Sequence, residues 1–192
     1  KILCLFFAAA IIPYTASVLA DDFYINESFN EYATYSKPSE LEVSSKAYWI
    51  HDINGSDKCL LMTGKNSQSM LSFPFSADGK FCISFDIKCI DKNPTGSLIL
   101  NTNSGNTALL KFERMNLIKS FNGKYVGGFG KSHFTNMALA VDLKNGSYDI
   151  YTNGKQVASK LICSDLLNRT AKGINFSFSC DDKETVLIDN VN

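Results

Sequence analysis

The chain has 192 residues, with 19 basic and 19 acidic side chains, and 45% of it is hydrophobic. That length suits one domain with a sizeable core. The neutral balance, with only Arg114 and Arg169 beside the lysines and no basic run, gives no electrostatic reason to bind nucleic acid or an anionic membrane.

Residues 1–20 read as a cleavable signal peptide. Lys1 supplies a positive start, Ile2 to Ile12 an apolar run broken at Pro13, and Ser17-Val18-Leu19-Ala20 a small-residue ending. The run falls short of the ~20 apolar residues a membrane helix needs. A secreted protein, extracellular or at the cell surface, is therefore expected, without membrane insertion. Residues 21–192 form the mature domain. The chain has no initiator Met and ends on a strand-like segment, so it reads as a fragment of a longer protein with room for further domains.

The mature region reads as strands throughout. The early candidates are Phe23–Ile25, Leu41–Val43, Tyr48–Ile50, Cys59–Met62 and Met70–Phe73. Residues 80–88 alternate cleanly, with Phe81, Ile83, Phe85 and Ile87 on one side and Ser84, Asp86 and Lys88 on the other. This is the period of a half-buried strand. Gly96–Asn101 and Ala108–Met115 follow, and Tyr125-Val126-Gly127-Gly128-Phe129-Gly130 suggests an exposed loop.

Leu139 to Val157 predicts a three-strand meander. Turns fall at Lys144-Asn145-Gly146 and Asn153-Gly154, since Asn-Gly supplies the positive φ of a two-residue type I′ turn. Ala158–Thr170 leaves room for one short helix. Gly173–Cys180 alternates again, and Val186–Asp189 closes the chain. About a dozen short strands with tight turns indicate an all-β sandwich or barrel.

Five cysteines follow the leader: Cys59, Cys82, Cys89, Cys163 and Cys180. The odd count leaves at least one thiol free or paired with another chain. Alternation puts Cys82 and Cys89 on opposite faces. Only His51 and His133 are present and no Cys-x-x-Cys occurs, which argues against zinc. Sequons at Asn26, Asn54, Asn145, Asn168 and Asn175 matter only in a host that glycosylates.

The stretch Ala140-Val141-Asp142-Leu143 through Tyr148-Asp149-Ile150-Tyr151-Thr152-Asn153-Gly154 resembles the late hairpin of concanavalin A-like lectin/glucanase sandwiches, including laminin G-like domains. Asp21-Asp22-Phe23 and Leu187-Ile188-Asp189-Asn190-Val191 resemble the first and last strands of such modules. The resemblance covers about residues 22–191 and implies a two-sheet antiparallel jelly-roll sandwich. It leaves activity open, because that superfamily includes lectins, carbohydrate-binding modules, glycanases, polysaccharide lyases and adhesion domains. It also suggests a structural Ca²⁺ tying the first and last strands, held by Asp21 or Asp22 together with Asp189. The plainer account is that these are edge charges discouraging strand pairing.

Glycanases of this kind need two carboxylates flanking one bond, and no Glu-x-Asp-x-Glu string occurs. Asp86 and Glu113 are the pair to weigh as acid and base. No Gly-x-Ser-x-Gly elbow is present. Sugar binding asks less: aromatic faces to stack on rings, with polar groups beside them. The candidates are Tyr48, Tyr125, Phe129 and Tyr151, with Asp149 next to the last. Each could instead pack in the core or at an edge, and Trp49 is expected in the core. The reading that results is a non-catalytic, lectin-like module whose partner is a polysaccharide or glycan. Its rivals are a structural or adhesion module binding protein, and a divergent glycan hydrolase or lyase.

Overall fold

The computed structural model describes residues 25–192, apart from positions 38, 40, 45–46, 64–66, 91–94, 116 and 181–184. The leader, Asp21 and Asp22 lie outside the described residues. Among the described residues, fourteen strands form two seven-stranded sheets, and every pairing within them is antiparallel.

The first sheet, called the front sheet, runs in the order β1 (Glu42–Ser44), β4 (Ser67–Asp78), β13 (Thr170–Cys180), β6 (Thr95–Thr102), β7 (Gly105–Glu113), β8 (Leu117–Ser120) and β9 (Tyr125–Gly128). The back sheet runs β12 (Lys155–Ile162), β11 (Ser147–Thr152), β10 (Thr135–Asp142), β5 (Lys80–Cys89), β14 (Thr185–Asp189), β3 (Lys58–Thr63) and β2 (Ala47–Asp52). The chain crosses between sheets repeatedly. Strands distant in sequence therefore become neighbours, as β13 does between β4 and β6. This is the expected two-sheet jelly-roll sandwich.

Alternation explains the layers. In β5, Phe81, Ile83, Phe85, Ile87 and Cys89 are buried, while Cys82, Ser84, Asp86 and Lys88 are not. Cys82 and Cys89 thus face opposite ways. β10 repeats the pattern over its whole length. Between the sheets, Phe85 meets Phe176 at 4.9 Å between ring centroids, and Phe112 meets Phe178 at 5.2 Å and Phe129 at 5.6 Å. Burial of each such ring contributes ~1.5–3 kcal/mol.

The meander forms as β10, β11 and β12. Asn153 and Gly154 both take positive φ, 48° and 75°, as a two-residue I′ turn requires. The first turn differs from expectation. Only Gly146 is left-handed there, at φ 58°, and the link runs over Leu143–Gly146. Asp142 organises it by accepting hydrogen bonds from the backbone N–H and side-chain amide of Asn145, at 3.1 and 2.7 Å.

The Ala158–Thr170 helix reduces to one 3₁₀ turn, Ser164–Leu166, because β12 continues to Ile162. Residues 125–128, expected in a loop, form edge strand β9. Gly127 fits there because a side chain would press on Thr152, 3.1 Å from its Cβ position. Register shifts mark bulges on β13, between β6 and β7, and between β8 and β9. Bulges bend the strands that carry them, and the back sheet has its own between β11 and β12.

Candidate functional site

The outward positions of the front sheet are mostly small and polar. Register places six of them in one row across six strands. Met70 lies opposite Ser177, Ser177 opposite Ser97, Ser97 opposite Lys111, Lys111 opposite Lys119, and Lys119 opposite Tyr125. Their chain neighbours Leu71, Phe176, Phe178, Leu98, Leu110, Phe112, Ile118 and Val126 are buried in the core, which fixes the row on the outer face.

A shallow depression of about 300 Å³ opens on this face across β13, β6 and β7, near one end of those strands. Thr95, Ser97, Ser177, Ser179, Lys111 and Glu113 line it, over Gly96 and the edge of Phe112. Gly96 is needed for its shape. A Cβ there would stand 2.4 Å from the Ser177 carbonyl oxygen and 2.5 Å from the Phe178 ring. Only glycine lets β6 and β13 approach so closely at this point.

Glu113 accepts an ion-paired contact from Lys119 Nζ at 2.6 Å. Lys111, exposed, has no partner among the described residues. Among the described residues, Glu113 is the one carboxylate that lines the depression. Asp86, weighed as its catalytic companion, is on β5 and faces outward from the back sheet. There its two oxygens accept from the amides of Asn136 and Asn190, both at 2.8 Å. The two carboxylates stand on opposite outer faces of the sandwich and cannot act on one bond.

The aromatic candidates are scattered in the same way. Tyr125 is 60% exposed at the end of the front-sheet row. Phe129 is fully buried, edge-on to Phe112, so its ring cannot meet a ligand at the surface. Tyr48 packs on the core side of β2, with Lys37 Nζ 5.6 Å from its ring centroid. Trp49 is the outward member of that pair, packing over Cys59, Leu61 and Leu187 with Ile53, Ile90 and Phe134. The side choice follows from register, because Trp49 lies opposite Leu61 and Tyr48 opposite Met62.

Tyr151 and Asp149 both face outward from β11 on the back sheet. Tyr151 lies opposite Ala138, and Asp149 opposite Ala140. Partial burial, then the Asp149 and Cys82 charges, push the Tyr151 hydroxyl above its ordinary value. Asp149 is engaged by the Lys160 N–H at 2.6 Å. Tyr125 and Tyr151 therefore sit on opposite faces and cannot serve one binding site.

Asp189, the described member of the calcium pair, is 3% exposed on β14. It accepts the Asn190 N–H at 2.8 Å. Desolvation, then the charges of Asp57, Asp86 and Glu27, push its carboxyl up to about 7. Such a site attracts a cation. Yet among the described residues no three His, Cys, Asp or Glu side chains converge as a metal-ligand group, so these residues alone do not fit calcium. Also among the described residues, no helix is long and apolar enough to cross a membrane.

Sequence reasoning missed Ser97, Ser177, Lys111 and Lys119. Alternation marks each as outward on its own strand, but only the pairing of β13, β6, β7 and β8 brings them together.

No family model matches the chain, and no curated protein matches it by sequence. Solved structures do match. A sialidase aligns with a TM-score of 0.65 at 13% identity, over 88% of this chain and 18% of its own. The cellulose-induced protein Cip1 aligns at 0.61 and 10% identity, over 88% of this chain and 95% of its own. The Emp47p carbohydrate recognition domain aligns at 0.59 and 9% identity, over 88% and 94%. The chain thus corresponds to a small part of the sialidase. At these identities the likeness shows the fold alone, a two-sheet jelly-roll sandwich.

Proposed function

We propose that this domain is a non-catalytic carbohydrate-binding module of a secreted protein, and that it binds glycan on the outer face of the front sheet. The open depression carries this reading. It offers hydroxyls from Ser97, Ser179 and Thr95 beside Lys111 and Glu113, the kind of group that hydrogen-bonds sugar hydroxyls, while Ser177 lies buried in its floor. Tyr125 adds an exposed ring at the end of the same row, suited to stacking. A domain of the same fold is named a carbohydrate recognition domain, which supports the class of ligand. Secretion rests on the leader-like residues 1–20.

Hydrolysis of a glycosidic bond calls for a second carboxylate across the bond. Glu113 alone, held by Lys119, favours binding over cleavage.

A glycan and polysaccharide screen with residues 21–192 tests this. Binding is expected, with loss on Tyr125→Ala and none on Tyr151→Ala. Loss on Tyr151→Ala instead would move the site to the back sheet. Failure of a folded sample to bind any glycan would favour a structural or adhesion module.

A further inference from the structure

The front-sheet row has a length and a charge that narrow the ligand. From Met70 on β4 to Tyr125 on β9 it crosses five inter-strand gaps, about 24 Å at the usual strand spacing. That is room for several sugar rings end to end and far more than one ring fills. The polar positions continue without interruption between the ends: Ser177, Ser97, Lys111, Lys119.

Toward the Tyr125 end, Lys111 and Lys119 stand directly opposite one another on β7 and β8. Like charges in that position destabilise a sheet. Glu113 offsets one of them, through Lys119. Lys111 is left exposed at the depression, with the hydroxyl of Ser97 next to it in the row. The protein therefore carries an unbalanced positive charge where a ligand would lie, and the one carboxylate lining the depression is already occupied. An anionic group placed at Lys111 would relieve the repulsion and gain a charge-assisted hydrogen bond.

We infer that the ligand is a linear acidic glycan lying across the strands along this row, with an acid group at Lys111 and a ring on Tyr125. This rests on the carbohydrate-binding reading above. Carboxylate and sulfate groups both satisfy the geometry.

The experiment is titration calorimetry with three chains of matched length, a polyuronate, a sulfated glycan and a neutral glucan, each as short and long oligomers. Acidic chains should bind about ten-fold or more tightly than the neutral one, and whichever acidic chain binds identifies the acid group. Affinity should rise with length and fall with salt. Lys111→Gln should weaken acidic binding about five- to ten-fold, and Lys111→Glu should abolish it. Lys111 is exposed, so an unchanged melting temperature will show that both variants fold. Neutral glucan bound as tightly as acidic chains, or Lys111→Gln without effect while Tyr125→Ala still loses binding, would overturn the acidic specificity and leave glycan binding standing. No binding by any of the three chains would overturn the acidic specificity, and the wider glycan screen then decides the carbohydrate-binding reading.

Discussion

The Tyr148 hydroxyl, on β11 of the back sheet, donates a 2.8 Å hydrogen bond to the Leu109 carbonyl on β7 of the front sheet. Leu109 is the extra residue where the β6–β7 register shifts, so Leu98 lies opposite Leu110 and Ile99 opposite Ala108. A phenol from the facing sheet thus adds a second donor to a carbonyl at a bulge, which also accepts the Phe121 N–H at 3.1 Å. Tyr148 is 1% exposed, and burial pushes its hydroxyl well above the ordinary range, so it stays a donor at all working pH. Tyr148→Phe should cost about 1 kcal/mol in a denaturant melt, with glycan affinity unchanged. A loss of binding equal to that of Tyr125→Ala would show that the two sheets are coupled to the site.

Gly96→Ala tests the close approach beneath the depression. The added methyl would meet the Ser177 carbonyl oxygen and the Phe178 ring, and neither backbone nor buried ring can yield without moving β13. The expected cost is about 2–4 kcal/mol, with weaker binding in whatever fraction remains folded. Gly55, with no atom near its Cβ position, is a useful contrast. It takes φ 86°, so Gly55→Ala should cost only the backbone strain, about 1 kcal/mol.

The layers were legible because they depend on short-range chemistry. The alternation in β5 and β10 and the Asn153-Gly154 turn are properties of a few adjacent residues, and all three form as expected. Ala158–Thr170 misled because Leu161, Ile162, Leu166 and Leu167 mimic helical spacing. In fact Leu161 turns inward, Ile162 stays exposed, and Lys160 at φ 49° kinks the strand. β8 and β9 are four residues each, too short for a period to show. The site was much less legible. Alternation tells which residues share a face of one strand, and it cannot tell which sheet the strand joins. Hence Tyr125 and Tyr151, alike by sequence, point away from opposite sides, and Phe129 is buried although glycines flank it.

Glu113→Gln separates binding from catalysis. The Glu113–Lys119 pair is partly exposed, and such pairs contribute ~0–1 kcal/mol, so the variant should fold normally. Removing the carboxylate frees Lys119 beside Lys111 and should tighten acidic glycans about two- to five-fold. An assay for released reducing ends or unsaturated products should give the same blank for both proteins. Turnover by the parent that disappears in Glu113→Gln would make the domain an enzyme.

Asp189 should give the protein an unusual pH dependence. Its carboxyl is raised to about 7 in the folded chain, against an ordinary range near 4 when unfolded. Between those values the folded state holds a proton that the unfolded state has released, so stability is favoured at the acid end. It should fall as pH rises through that window, the cost being complete above about 7. Melts in chelator at pH 5 and pH 8 should show the decline, and Asp189→Asn should lessen it and be the more stable protein at pH 8 by ~1–3 kcal/mol. Calcium supplies the counter-experiment. If it restores the parent at pH 8 and leaves Asp189→Asn unchanged, Asp189 is a cation ligand whose companions lie beyond the described residues. If it does nothing, Asp189 is a buried acid, surrounded by Asp57, Asp86 and Glu27, that the fold tolerates best when protonated.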